Sequence, residues 1–164
     1  MRRAISLLLL PLLLTACGFH LRGFMDVPVW LNNVAITGEA ATVPFDTMLK
    51  SYLEAYHIRV TSDLPTASYW ILINHMDYRQ QIVSIGASTN PRQYQLILTI
   101  DFMLQDRKGR VISPPRQVVA TRQLTINNDR ILGSNAEEDE FIREMRQDAI
   151  VQILNILCKS NPRP

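Results

Sequence analysis

Glycine is scarce in this chain: six residues are scattered singly through 164, so no glycine-rich loop is available to cradle a phosphate. Ser84 and Ser88 lack the flanking glycines of a nucleophile elbow. The three histidines, His20, His57 and His75, share no metal-ligand spacing with one another or with a carboxylate, and no H-E-x-x-H occurs. His75 stands beside Asn74 and Asp77 in a strand-like stretch and reads as a surface or hydrogen-bonded histidine rather than a ligand or base. The densest basic stretch, Arg107-Lys108-Gly109-Arg110, is too short to make a nucleic-acid patch. There is no internal repeat and no low-complexity segment. These absences argue against an enzyme, a metal or nucleotide cofactor, and a nucleic-acid partner.

Long apolar runs are also missing, with one exception at the start. Arg2 and Arg3 precede the nearly unbroken apolar run Ala4 to Leu14, which is too short to cross a bilayer and has the layout of a secretory signal. Leu14-Thr15-Ala16-Cys17 looks like a bacterial lipobox, which implies cleavage before Cys17, a diacylglycerol thioether on its sulfur and an acyl chain on the freed amine. The alternatives are a plain signal peptide with a chance cysteine, or a short buried helix. The charged start, the apolar run and the four-residue junction agree on the lipoprotein. Each buried methylene contributes roughly 0.8 kcal/mol, so several acyl chains anchor a protein without a transmembrane helix. Gly18 rather than aspartate follows the cysteine, which by similarity to enteric lipoproteins favours the outer membrane.

Without its first 16 residues the chain is 148 long, enough for one domain with a real core. Arg2 and Arg3 leave with the signal, so fifteen basic groups then face fifteen acidic ones. If Cys17 is acylated, Cys158 is the only thiol left and no internal disulfide can form. Cys158 lies among Ile153, Leu154, Ile156 and Leu157 and reads as a small core residue rather than a reactive thiol. The division expected is a signal over 1–16, a lipidated leader over 17–30, a single domain over 31–160 and a short tail over 161–164.

Periodicity supplies the elements. Phe19 to Leu31 has no clear period and reads as an extended leader, and Asn33 to Thr37 as a first strand ended by Gly38. Phe45, Met48, Leu49, Tyr52, Leu53 and Tyr56 trace one face of a helix of about three turns, with Pro44 at or just before its start and Asp46, Lys50 and Glu54 on the wet side. Ile58 to Thr61 reads as a short edge segment. Tyr69 to Ile85 is a β stretch interrupted by Asn74, Asp77 and Gln80, where a bulge or bend is expected. Gly86 to Pro91 is a connection. Tyr94 to Gln105 alternates, with Tyr94, Leu96, Leu98, Ile100 and Phe102 on one face. Asp106 to Gly109 is a hairpin turn with glycine where positive φ is needed, and Val111 to Ile126 returns antiparallel. Pro114 and Pro115 cannot donate to a ladder, so they must lie on an edge or at a bulge. Ser134 with Glu137 has the spacing of a capping box; Glu137 to Glu140 then crowd the first two turns of a final helix. Its apolar stripe is Ile142, Met145, Ala149, Ile153 and Ile156. The expected architecture is α+β: a two-layer sandwich of two amphipathic helices on one face of a mostly antiparallel or mixed sheet of about four strands, the other face largely polar.

Read in order, several short motifs match a known family. Cys17-Gly18-Phe19-His20-Leu21-Arg22 resembles the mature N-terminus, C-G-[FW]-x-L-R, of the LPS-assembly lipoprotein family LptE. Tyr94-Gln95-Leu96 resembles that family's Y-x-[LM], the hairpin Asp106 to Gly109 sits where the family turns, and Arg122 matches in the returning strand. Glu144-Met145-Arg146 resembles its final helix, so the match is collinear over nearly the whole mature chain. The resemblance implies an outer-membrane lipoprotein that sits inside the lumen of the β-barrel protein LptD, assists its assembly, and binds lipopolysaccharide (LPS) for delivery to the outer leaflet without catalysis. An outer-membrane lipoprotein of another kind, peptidoglycan-associated or inhibitory, is the competing reading. LPS phosphates call for planar guanidinium donors, and the candidates nearest the loops are Arg79, Arg92 and Arg130. Gly86 to Asn90 carries no basic residue, and the loop before the last helix offers Arg130 but no lysine, unlike some family members.

Overall fold

A single five-stranded sheet in the order β2-β1-β3-β4-β5 organises the domain: β1 (Asn33–Thr37), β2 (Arg59–Val60), β3 (Tyr69–Ile85), β4 (Pro91–Asp106) and β5 (Val111–Thr125). Helices α1 (Val43–Ala55) and α2 (Ile131–Lys159) pack on one face. The computed structural model describes residues 27–38, 40, 42–85, 91–125 and 131–160, with side chains for all of these except 85, 91, 92 and 131–135. Cys17 and Arg130 lie outside the described residues. The architecture is the expected α+β sandwich with one strand more than expected. The edge segment after α1 forms two residues of parallel strand, Asn33 pairing with Arg59 and Val34 with Val60.

β1 also runs parallel to β3, whereas β3, β4 and β5 form an antiparallel meander. β3 and β4, at 17 and 16 residues, make a hairpin on the order of 50 Å long at the usual rise per residue. The alternation in β4 is realised: Leu96, Leu98, Ile100, Phe102 and Leu104 are buried against the helices. β3 carries the anticipated bulge at Asn74, where Ile73 pairs with Phe102 but His75 already pairs with Asp101. Pro114 and Pro115 satisfy both conditions set by their missing donors. They lie on the edge strand, within the register shifts that separate Phe102/Arg116, Leu104/Ser113 and Gln105/Val111.

α1 buries Phe45, Leu49 and Leu53, with Pro44 in its first turn. Asp46 is not fully on the wet side. One of its carboxylate oxygens is buried without a partner, and burial pushes the carboxyl above the usual range. The helix closes through His57, which adopts φ 62° although it is not glycine. Its N–H donates to Glu54 O and that of Ile58 to Leu53 O, a Schellman closure with Ile58 packed on the core.

α2 departs from expectation at its start. It begins at Ile131, so Ser134 stands inside the first turn rather than at a cap, and the acidic run falls in the second and third turns. The S-x-x-E spacing occurs equally within a helix, where it has no capping meaning. The stripe also turns slightly: Met145, Ala149 and Ile153 are buried as expected, joined by Ile150, Leu154 and Leu157, while Ile142 and Ile156 are half-buried. The leader's last residues are not extended but packed. Leu31 is buried, its N–H donates to Pro28 O, and the Trp30 ring meets Tyr69 edge-on at 5.1 Å.

Two turns decide the chain path. Gly38 sits at φ 136°, and a Cβ there would lie 2.1 Å from the Ile73 carbonyl oxygen, so only glycine lets β1 leave the sheet beside β3. At the β4–β5 hairpin, Gly109 takes φ 79° and donates to Asp106 O. The Asp106 carboxylate accepts the N–H groups of Lys108 and Arg110, both at 2.9 Å, and Arg110 Nε at 2.7 Å. The Arg110 guanidinium, followed by these backbone donors, holds the carboxyl below the usual carboxylate range.

Two outcomes are expected. Gly38→Ala costs at least about 2 kcal/mol by chemical denaturation, because the side chain meets backbone that cannot rotate away. Asp106→Asn lowers the Tm at neutral pH. A carboxyl whose pKa is depressed by folding stabilises above its unfolded value and loses that contribution as pH falls through the folded one. The Tm gap between the two proteins therefore narrows below about pH 4, the ordinary aspartate value, and thermal melts across pH measure it.

Candidate functional site

The pairing registers place four rows of side chains on the face of the sheet away from the helices. These are His75–Asp101–Gln117, Asp77–Thr99–Val119, Arg79–Ile97–Thr121 and Gln81–Gln95–Gln123. Gln117 Nε2 donates to Asp101 Oδ1 at 2.9 Å, and Arg79 Nε pairs with Asp77 Oδ2 at 2.7 Å. Most of these groups are polar and reach water, with Ile97 and Val119 as apolar members. An antiparallel sheet with one face on the core and one wet has this alternation. What makes the face polar over its full length is the Asn74 bulge, which leaves His75, Asp77, Arg79 and Gln81 on the open side.

Of the expected cationic residues, Arg79 lies on this open face, exposed and already paired with Asp77. Arg92 belongs to β4 at the register shift between Ser84/Gln93 and Ile85/Pro91, so its backbone lies at the far end of the same hairpin as Arg79. Arg130 is outside the described residues. The structure thus joins Arg79 and Arg92 through one hairpin, with four residues of β4 between Arg92 and the Ile97 that pairs with Arg79.

At the same far end, the acidic segment of α2 is tied to the sheet. Tyr78 Oη donates to Glu138 Oε1 at 2.9 Å, and Gln80 Nε2 donates to the same oxygen. Burial foremost, and then Glu138, push the Tyr78 hydroxyl pKa up, so the phenol stays a donor at physiological pH. Glu138 therefore fastens the helix to β3, beyond the dipole role expected for it.

The residue whose role was least visible in the sequence is Arg122. It projects from β5 under α2 and reaches two carboxylates one turn apart, Glu144 at 3.1 Å and Asp148 at 2.5 Å. These hydrogen bonds, Asp148 first, hold the guanidinium still more firmly protonated. Arg122 also donates to Thr121 O, and Gln152 Nε2 donates to Val119 O at 3.1 Å. Two carbonyls of the β5 edge, those of Val119 and Thr121, are thus occupied by side chains of its own domain instead of being offered to another strand. The i, i+4 spacing of Glu144 and Asp148 is the signal in the sequence for such a clamp.

No group of three metal-ligating side chains occurs among the described residues. His75 is exposed on the open face; the Ser84 hydroxyl bonds with Gln93 Oε1 at 3.3 Å. Cys158 is half-buried, and burial pushes its thiol pKa up, away from the thiolate needed of a nucleophile. No described helix is long and apolar enough to cross a membrane.

The family model of LptE, described as lipopolysaccharide-assembly, matches residues 31–157, which take in every strand and nearly all of α2. The chain belongs to the LptE family. It is 27% identical over 159 residues to the LPS-assembly lipoprotein LptE of Pectobacterium atrosepticum, covering 93% of this chain and 83% of that one. The corresponding protein of Photorhabdus laumondii is 27% identical over 157 residues, covering 94% and 85%. Among solved structures, the fold is similar to lipoprotein B of Nitrosomonas europaea, with TM-score 0.70, 25% identity and coverage of 84% and 88%. It is also similar to a minor lipoprotein of Acinetobacter baumannii, with TM-score 0.67, 26% identity and coverage of 80% and 93%. Within this LptE domain, Arg122 and Glu144 acquire a definite job, joining β5 to α2.

Arg122→Ala is expected to lower unfolding free energy by about 1–2 kcal/mol, the range of a charge-assisted pair discounted for partial exposure. Glu144→Ala and Asp148→Ala each cost less, because the other carboxylate remains. Urea titrations of the three variants measure the ordering.

Proposed function

We propose that this LptE-family chain is a lipid-anchored, non-catalytic subunit of the outer-membrane LPS translocon. Acylation at Cys17 fixes it to the membrane, and it plugs and assists assembly of the β-barrel LptD while binding LPS for delivery to the outer leaflet. The observation that carries this reading is the open sheet face. It is long and mostly polar, and at the β5 edge beside it Arg122 and Gln152 occupy the carbonyls of Thr121 and Val119. The lumen of a large barrel is polar and wet, so a plug needs a hydrophilic surface. A greasy face in that position would suit a lipid or a dry protein interface instead. Family membership supports the assembly role, and the cationic residues Arg79, Arg92 and Arg130 are the proposed partners of LPS phosphates. Arg79 is the weakest of the three because Asp77 already occupies it.

The test is photocrosslinking in intact cells, with the reactive side chain introduced at His75 or Gln123 on the open face. Capture of a large outer-membrane barrel from both positions is the expected result, accompanied by co-purification in mild detergent. Extraction without any barrel partner overturns the reading. In the same preparation, Arg92→Ala combined with Arg130→Ala weakens LPS binding; unchanged binding removes both residues as ligands.

A further inference from the structure

Charge is distributed unequally along the long axis of the domain. The far end holds Glu137, Glu138, Asp139 and Glu140 near the start of α2, while α2 ends at Lys159 beside the β4–β5 hairpin. That hairpin end displays Arg107, Lys108, Arg110 and Arg116, all exposed, and Arg59 stands at the same level on the other edge. Among the described residues four acidic groups lie at this end, one of them Asp101, which accepts from Gln117 Nε2 beside Arg116. Asp106 is engaged by Arg110, and Glu54 pairs with Lys50 at 3.8 Å. Asp63 is exposed at the start of a short 3-10 turn over Leu64–Thr66. The balance remains strongly cationic.

The cations surround an apolar floor. A groove of about 690 Å³ between the start of β5 and the end of α2 is lined by Arg110, Arg116 and Lys159 around Val111, Ile112 and Ile156. A recess of about 220 Å³ adjoins it through Arg110 and Ile112 and reaches Arg107, Lys108 and Tyr69. Val111 is 52% exposed there. Cations flanking exposed aliphatic side chains suit an interface of anionic headgroups over acyl chains, better than they suit a soluble acidic peptide.

The chain's entry point lies at the same place. Trp30 packs on Tyr69, whose neighbour Ser68 accepts the Arg107 N–H at 3.3 Å, so the leader joins the domain beside the hairpin. From Cys17 to Val27 is ten residues, which span at most about 35 Å when extended.

We propose that the hairpin end is a docking surface for anionic phospholipid headgroups, holding the domain against the leaflet that carries its own anchor. The choice of leaflet rests on acylation at Cys17; the binding chemistry does not. One acyl-independent contact of this kind adds a second membrane signal to the lipid and holds the domain at the leaflet before a barrel encloses it.

The test uses the full mature chain carrying Cys17→Ser, so that no lipid contributes, and co-sedimentation with vesicles. Expected is binding to phosphatidylethanolamine vesicles containing phosphatidylglycerol, little binding to phosphatidylcholine alone, and loss as salt is raised. Arg107→Ser, Lys108→Ser and Lys159→Ser together lower the partition on the order of 100-fold, about fivefold for each cation removed. Arg143→Ser with Arg146→Ser, on α2 and outside the lining of the groove, leaves it unchanged, and thermal melts verify that both variants fold. Absence of binding, equal binding to neutral vesicles, or a triple variant that binds like its parent overturns the proposal. So does capture of LPS micelles by these cations with no phospholipid binding, which makes the groove a cargo site. Mass spectrometry of the envelope-extracted protein reads acylation separately, so failure of either idea leaves the other standing.

Discussion

One inserted residue, Asn74, decides which side of the β3–β4 hairpin meets the core. Side chains alternate along a strand, so without the bulge the series Ile71, Ile73 would continue inward as His75, Asp77 and Arg79. Burying that charged series under α2 would cost far more than one interrupted ladder bond. With the bulge, Met76 and Tyr78 take the covered positions opposite Ile100 and Leu98, and the ionisable groups stay in water. The polar face, the Tyr78–Glu138 tie and the availability of Arg79 all follow from this shift.

Legibility in the sequence followed locality. The alternation in β4 is a property of neighbouring residues packed on one side, and it mapped directly onto buried Leu96, Leu98, Ile100 and Phe102. Gly109 and the proline pair were equally readable, because their φ limits and missing donors act at their own positions. Features set by distant partners were not. Ile58 to Thr61 was readable as an edge segment, but its status as a strand was not, because Arg59–Val60 is too short for a pattern and exists through parallel pairing with β1. His57 holds the position glycine usually fills at a helix end, so nothing local marked the Schellman closure. The start of α2 was misread because the Ser134–Glu137 spacing has one meaning at a helix end and none within it.

The candidate site was legible as a surface and only partly as residues. A polar face opposite a greasy one follows from alternation, whereas its pairings depend on register. Arg79 was picked for its type and position near a loop, and the structure adds a carboxylate that occupies it. Arg122 was visible only through family similarity. Its work requires Glu144 and Asp148 from an element 22 and 26 residues away, a relation that register and helix phase together create. That clamp matters to the proposed role as well as to stability. A charged side chain turned inward from an edge strand, with Gln152 covering a neighbouring carbonyl, resists pairing with a foreign strand. A protein surrounded by the strands of a barrel has particular need of such resistance.

The direction of the helices joins these observations. Both helices run toward the hairpin end, α2 from the far end and α1 from near the point where β1 leaves the sheet, so the partial negative charges of both C-termini lie toward that end of the domain. Cations there are favoured by the fold itself, as Lys159 in the last turn of α2 illustrates. Of Arg107, Lys108 and Arg110, however, only Arg110 is engaged by a carboxylate, and helix dipoles act within about one turn of the helix end. Arg107 and Lys108, at the tip of the hairpin, lie on a different element, so helix-end electrostatics alone leave their placement unaccounted for. Their nearest constraint is the chain's own entry at Trp30 and Tyr69, where any tether to a membrane must begin.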